Sequence, residues 1–225
     1  MSNLQPAAGS SAANPPPEAG WLNRIDPAMA EKLRFFGAFL RQPSSTGSLA
    51  PSSLSLGRAM LYGCRLREAR TVVEFGPGTG AFTRLILDRM GENTRFIALE
   101  LNEQHVQLLR QRFPGLHVHQ DSAERIAHYL RRHRAAKADY IISGLPWANM
   151  PGATQDRILK AVLRTLSEDG MFTTFAYVHA RWLPRARQFR RRLEQHFGEV
   201  RRSRIIWGNV PPAFVYRCRV NPPND

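Results

Sequence analysis

The chain has 225 residues, 43% of them hydrophobic, with 32 Lys and Arg against 18 Asp and Glu and a formal net charge of +14. That length suits one α/β domain with an extension rather than two full domains, and the positive excess favours anionic partners, either nucleic acid or a negatively charged membrane surface. Cys64 and Cys218 form no C-x-x-C pair and no metal-ligand spacing is present, so a disulfide scaffold and a zinc module are excluded and a cytosolic, metal-free protein is expected.

Residues 1–20 are rich in Pro, Ala, Ser and Gly and poor in large apolar side chains, so they cannot offset their ordering entropy and read as a disordered tail. They lack the basic start and apolar centre of a secretory signal. No uncharged apolar run reaches the roughly 18 residues of a spanning helix, so any membrane contact is peripheral. Residues 21–51 hold a helix and a linker. The helix opens with an Asp26 cap and Pro27, and lines up Met29, Leu33, Phe36 and Leu40 on one face, widened by Phe35 and Phe39. Such a face either packs on a core or lies in a membrane interface with its aromatic side down. The segment QPSSTGSLAP is a loop, and the main folded domain is assigned to residues 52–225.

A second helix starts near Ser53. Strands are expected at Thr71 to Phe75, Thr94 to Leu101, Leu116 to His119, Ala138 to Ser143 and Met171 to Tyr177. Helices follow the second to fifth of these at Glu103 to Phe113, Ala123 to Arg132, Thr154 to Leu166 and Arg185 to Phe197. Alternation at this spacing implies a parallel sheet covered on both faces. The runs Arg204 to Trp207 and Ala213 to Val220 lie too close together for a helical crossover and read as an antiparallel pair.

The stretch TVVEFGPGTGAFTR, from Thr71, organises the whole. A β-branched strand meets a turn spaced by Gly76, Gly78 and Gly80, and a helix with Phe82, Leu85, Ile86 and Met90 follows. Glycines let a ligand approach the backbone, and a helix start offers unpaired N–H groups. The turn reads G-P-G-T-G rather than the dinucleotide G-x-G-x-x-G, and the acidic Glu74 precedes its first glycine by two positions. In doubly wound sheets ligands bind at the carboxyl ends of the strands. There the second strand carries Glu100 and Leu101, the third Asp121 and Ser122, and the fourth Ser143-Gly144-Leu145-Pro146-Trp147. Glu100 lies roughly twenty residues past the turn, where a carboxylate accepts from ribose hydroxyls. Asp121 is placed to cap the following helix or to face a ligand.

This order of features resembles the class I S-adenosylmethionine-dependent methyltransferases. The segments SGLPW, Asn149-Met150-Pro151, TTFAY at the fifth strand, WGNVPPA before the last strand and TGSLAPSS from Thr46 are together similar to the bacterial phospholipid N-methyltransferases. The resemblance implies a Rossmann-like fold with a mostly parallel seven-stranded sheet, an antiparallel C-terminal strand and an N-terminal amphipathic helix. It implies S-adenosylmethionine as cofactor, with S-adenosylhomocysteine as product. Glu74 then orients the amino-acid end, Gly76, Gly78 and Gly80 pass under the cofactor, and Glu100 and Leu101 meet the ribose region. Asp121 and Ser122 face the adenine, and Ser143 lies at the accepting nitrogen. The adenine N6-dimethylase version of the fourth motif has an Asn before Leu-Pro; here Gly144 stands there.

The expected reaction transfers methyl groups to the amine of phosphatidylethanolamine and its methylated intermediates, towards phosphatidylcholine. Ornithine lipid and RNA adenine are the alternative acceptors, and a basic membrane-binding protein that has lost activity is a non-enzymatic one. The chain stops directly after its last predicted strand, which leaves no helical RNA-binding domain and makes nucleic acid the weaker partner. Tyr177 and His179, alternating along the fifth strand, are candidates to contact the substrate amine or phosphate, or else are packed or surface side chains. Trp147 and Tyr177 are placed to stack on a cationic product. From Arg181 to Arg204 there are nine arginines against two glutamates, and Arg187, Arg190 and Arg191 read as a lipid-phosphate surface. The expected location is the cytoplasmic face of the inner membrane, held peripherally.

Overall fold

The computed structural model describes residues 51–179 and 184–221, with side chains from Leu54 onward. The expected helix after Asp26, with Phe35, Phe36 and Phe39, lies outside the described residues, as does the expected tail. The described chain runs α1 (Pro51–Met60), β1 (Thr71–Phe75), α2 (Ala81–Leu87), β2 (Arg95–Glu100), α3 (Glu103–Arg112), β3 (Val118–Gln120), α4 (Ile126–Arg132), β4 (Ala138–Ser143), α5 (Gly152–Thr165), β5 (Leu166–Tyr177), α6 (Pro184–His196), β6 (Glu199–Arg202) and β7 (Ala213–Arg219). Short 3-10 turns at Ala123–Arg125 and Trp147–Asn149 lead out of β3 and β4.

The strands form one seven-stranded sheet in the order β3-β2-β1-β4-β5-β7-β6. β1 to β5 pair in parallel, and β7 runs antiparallel to both β5 and β6. All five residues of β1 are buried, as a central parallel strand covered on both sides requires. Alternate residues feed two cores. Val73, Phe75, Ile97, Leu99, Ile141 and Phe172 pack under α4, α5 and α6. Val72, Phe96, Ala98, Ile142 and Phe175 pack with residues of α1, α2 and α3. The strand order reverses between β1 and β4, which opens a crevice at their carboxyl ends.

Two strands differ from expectation, and the first of them, β5, begins at Leu166 rather than Met171. The strand before β7 is Glu199–Arg202, not Arg204 to Trp207, and Ile206 makes only a single antiparallel bridge to Ala213. β6 is an edge strand with one neighbour, so it tolerates the charges of EVRR that hide it from an apolar-run search. At the other face, Arg217 of β7 donates to the carbonyls of Ala59 at 2.7 Å and Tyr62 at 3.1 Å, satisfying acceptors at the end of α1.

Candidate active site

The turn after β1 is shaped by three glycines in the left-handed region, with φ of 62, 57 and 87° at Gly76, Gly78 and Gly80. A Cβ at Gly76 would come within 2.8 Å of Leu145, and one at Gly80 within 2.7 Å of the Phe113 ring. The turn therefore sits tight against its neighbours as well as against the crevice.

Glu74 is fully buried behind this turn. Its Oε2 accepts from the Thr83 hydroxyl at 2.7 Å, while Oε1 has no partner. Burial pushes the carboxyl up to about 8, Thr83 pulls it down, and the Glu100 charge raises it further. A buried carboxyl with one unpartnered oxygen calls for a ligand donor, and a cationic one best restores its ionised form.

Glu100 follows the opposite course. Its Oε2 accepts from the Gly78 amide at 3.0 Å and its Oε1 from the Asn102 amide at 2.9 Å, with the His105 Nδ1 3.8 Å away. Burial alone would raise its pKa, but His105 and the two amides outweigh burial and hold the carboxyl below its usual value. An ionised carboxylate has about four acceptor positions, so capacity for ribose hydroxyls remains. Leu101 beside it is 46% exposed, an apolar side chain at the open edge.

Asp121 accepts the Ser122 amide at 2.7 Å and the Tyr129 hydroxyl at 2.9 Å, and pairs with Arg125 at 3.1 Å. The helix cap is Ser122, whose Oγ accepts from the Glu124 amide at 3.2 Å, so capping does not account for Asp121.

Across the crevice, the Gly144 amide donates to the Phe75 carbonyl at 2.8 Å. A Cβ on Gly144 would come 2.7 Å from the Gly76 carbonyl oxygen, so the place where an N6-dimethylase carries Asn has no room for a side chain here. Buried Ser143 accepts from the Trp147 indole N–H at 3.1 Å, and its carbonyl accepts from the Thr174 hydroxyl at 3.2 Å. Trp147 corrects the expectation of product stacking. It is 2% exposed, stacked on Phe189 at 4.8 Å and edge-on to Phe172 at 5.9 Å, so its ring faces are spent on the core. It supports Ser143 from within. Gln155 clamps the same corner, donating Nε2 to the carbonyls of Trp147 at 2.7 Å and Met150 at 3.1 Å, with Oε1 unpartnered.

Tyr177 ends β5 and His179 lies beyond the strand, so alternation does not place it, but the two rings are stacked at 5.6 Å and 13°. Burial pushes the Tyr177 phenol up to about 12, so it stays protonated. Arg187, Arg190 and Arg191 are exposed on α6, whose inner face packs on Trp147 through Phe189, so they stand outside the crevice; Arg190 pairs with Glu194 at 2.8 Å. Thr83, His105, Tyr129 and Gln155 were not singled out from the sequence. Thr83 alone had a signal, since it lies in the first turn of the helix that the glycine turn opens.

A family profile described as a methyltransferase domain matches residues 72–170. An ornithine lipid N-methyltransferase of Singulisphaera acidiphila is 32% identical over 197 residues, spanning 85% of this chain and 97% of that protein. The chain belongs to the class I S-adenosylmethionine-dependent methyltransferases. The fold agrees with a TehB-like S-adenosylmethionine-dependent methyltransferase of Corynebacterium glutamicum, at TM-score 0.57 and 13% identity over 86% of this chain and 99% of that one. It also agrees with an O-methyltransferase of Bacillus cereus in complex with SAH, at TM-score 0.58 and 15% identity over 88% and 95%. S-Adenosylmethionine is thus the methyltransferase's cofactor, and the unpartnered Glu74 oxygen and glycine turn fit it. Among the described residues no group of three His, Cys, Asp or Glu is placed to hold a metal ion, and no helix is long and apolar enough to cross a membrane.

Proposed function

We propose that this methyltransferase acts on the free amine of ornithine lipid at an anionic membrane surface. The observation that carries the reading is the 32% identity with an ornithine lipid N-methyltransferase along 97% of that protein's length. It favours ornithine lipid over phosphatidylethanolamine, which the sequence put first. The closed Gly144 position argues in the same direction against an RNA adenine acceptor.

In this reading Glu74 receives the ammonium end of the cofactor, Glu100 and Leu101 the ribose region, and Asp121 and Ser122 the adenine. Gly76, Gly78 and Gly80 give the backbone its close approach, and Ser143 closes the floor. When bound, S-adenosylmethionine would supply an electrophilic sulfonium methyl group to the lone pair of the amine nitrogen and would leave as S-adenosylhomocysteine. The protein must present that amine unprotonated, against an ordinary pKa near ~10. Desolvation at the crevice favours the neutral amine. Tyr177, protonated throughout, orients it by hydrogen bonding, and exposed His179 passes the released proton to solvent. Arg187, Arg190 and Arg191 meet lipid phosphates, in keeping with an enzyme held peripherally on the cytoplasmic face of the membrane.

The test is methyl transfer from labelled S-adenosylmethionine to ornithine lipid, phosphatidylethanolamine and ribosomal RNA offered separately. Label is expected in ornithine lipid; label confined to either of the others overturns the assignment.

A further inference from the structure

Trp207 and Val210 stand in solvent within one short loop, 71% and 75% exposed. The loop between β6 and β7 is tied down. The Ile206 amide donates to Ala213 at 2.7 Å and the Asn209 amide to Ile206 at 3.2 Å. Asn209 is buried and donates its side-chain amide to the Pro211 carbonyl at 2.6 Å. Pro212 accepts from the Val178 amide at 2.8 Å, which fastens the loop to the chain directly after Tyr177. Between Trp207 and Val210 the polar Asn209 is turned inward and the two large apolar residues outward, the reverse of what water alone would select.

We propose that this loop is an interfacial wedge, with Trp207 and Val210 entering the headgroup and upper acyl region of an anionic bilayer. The proposal rests on the lipid-substrate reading and names the contact that would bring the acceptor crevice to the lipid. Charge complementarity selects the bilayer as occupant: Arg202 and Arg204, both exposed, lie on the approach to the loop, where they meet lipid phosphates. Trp pairs an apolar ring with an N–H donor, the combination that partitions to the headgroup boundary. The bond from Val178 to Pro212 sets the wedge beside the end of β5, so insertion seats Tyr177 and His179 at the surface from which a lipid amine arrives.

The experiment uses the full chain carrying Trp21→Phe and Trp182→Phe, which leaves buried Trp147 and exposed Trp207 as emitters. With vesicles containing phosphatidylglycerol and brominated acyl chains, emission is expected to shift to the blue and be quenched. Trp207→Ser with Val210→Ser should lower vesicle partitioning on the order of tenfold, while S-adenosylhomocysteine affinity and transfer to detergent-dispersed ornithine lipid stay within about twofold. Vesicle binding without quenching, or equal partitioning of the double variant, overturns the wedge. So does Trp207 emission that is already blue without lipid and turns red when residues 1–50 are deleted, since the chain's own N-terminal segment would then cover the loop. Quenching with no methyl transfer to ornithine lipid would uphold the wedge and strike the substrate assignment alone.

Discussion

The amide of Gly78 donates to the Glu100 carboxylate across 22 residues of chain, at 3.0 Å, and so binds the glycine turn to the end of the neighbouring strand. The residue proposed to hold ribose hydroxyls also holds the loop in shape. Glu100→Ala should therefore remove both functions and raise the S-adenosylhomocysteine Kd by about 10- to 100-fold, the range for losing a charged hydrogen-bonding group. Calorimetry that finds an unchanged Kd would detach Glu100 from the cofactor.

Glu74 links affinity and stability with opposite signs. Its carboxyl is raised to about 8 in the folded protein, from 4.5 otherwise. Between those values the folded state keeps a proton that the unfolded state releases, so stability falls as pH rises through this window and levels off above it. Glu74→Gln should raise the melting temperature of the cofactor-free protein at pH 8 by a few degrees, yet weaken cofactor binding. Thermal scans at pH 6 and 8, with and without cofactor, check both halves.

Gln155 predicts a rate effect without an affinity effect. Gln155→Leu leaves the carbonyls of Trp147 and Met150 without their donor, but also removes an amide oxygen that has no partner. The stability change should be small, below about 1.5 kcal/mol, while the loosened corner lowers kcat on the order of tenfold. A Kd for cofactor that moves with kcat would mean the whole crevice has shifted.

Trp147→Ala should destabilise the fold by about 3–5 kcal/mol, as an emptied core site does. Trp147→Phe, which keeps the stack on Phe189 but loses the bond to Ser143, should recover most of that. Selective loss of methylated-product binding with full stability would restore the abandoned stacking role; denaturant titration beside product binding separates the two.

His119 and His133 bring their Nε2 atoms within 2.7 Å, an arrangement that requires at least one neutral ring. Burial, followed by the charges of His133, Arg132, His117 and Arg110, drives His119 down to about 4 from 6.5. The unfolded state takes up the proton first, so stability is full above about pH 6.5 and declines as pH falls through about 4. His119→Phe, which preserves a ring to stack on Tyr129, should flatten that acid decline. A slope unchanged by the substitution would assign it to the carboxylates.

β4 begins and ends where the sequence placed it, because the apolar run of a central strand is bounded on both sides by polar and glycine residues. The glycine turn was equally legible, since three closely spaced positive φ values are reached at least cost by glycine. β6 was not, because an edge strand does not need to be apolar. Trp147 was misplaced for a related reason: position at a strand end says which end of the sheet a residue occupies, not which way its ring turns, and α6 supplies Phe189 to receive it. The unpartnered oxygen of Glu74 and the clamp of Gln155 arise from contacts between distant elements that no local pattern records.

β7 runs against its neighbours, so the chain enters it beside the crevice and leaves it at Arg219 on the opposite rim of the sheet. A surface or tag coupled beyond that strand would hold the molecule by its back, with crevice and wedge turned outward to meet a supported bilayer.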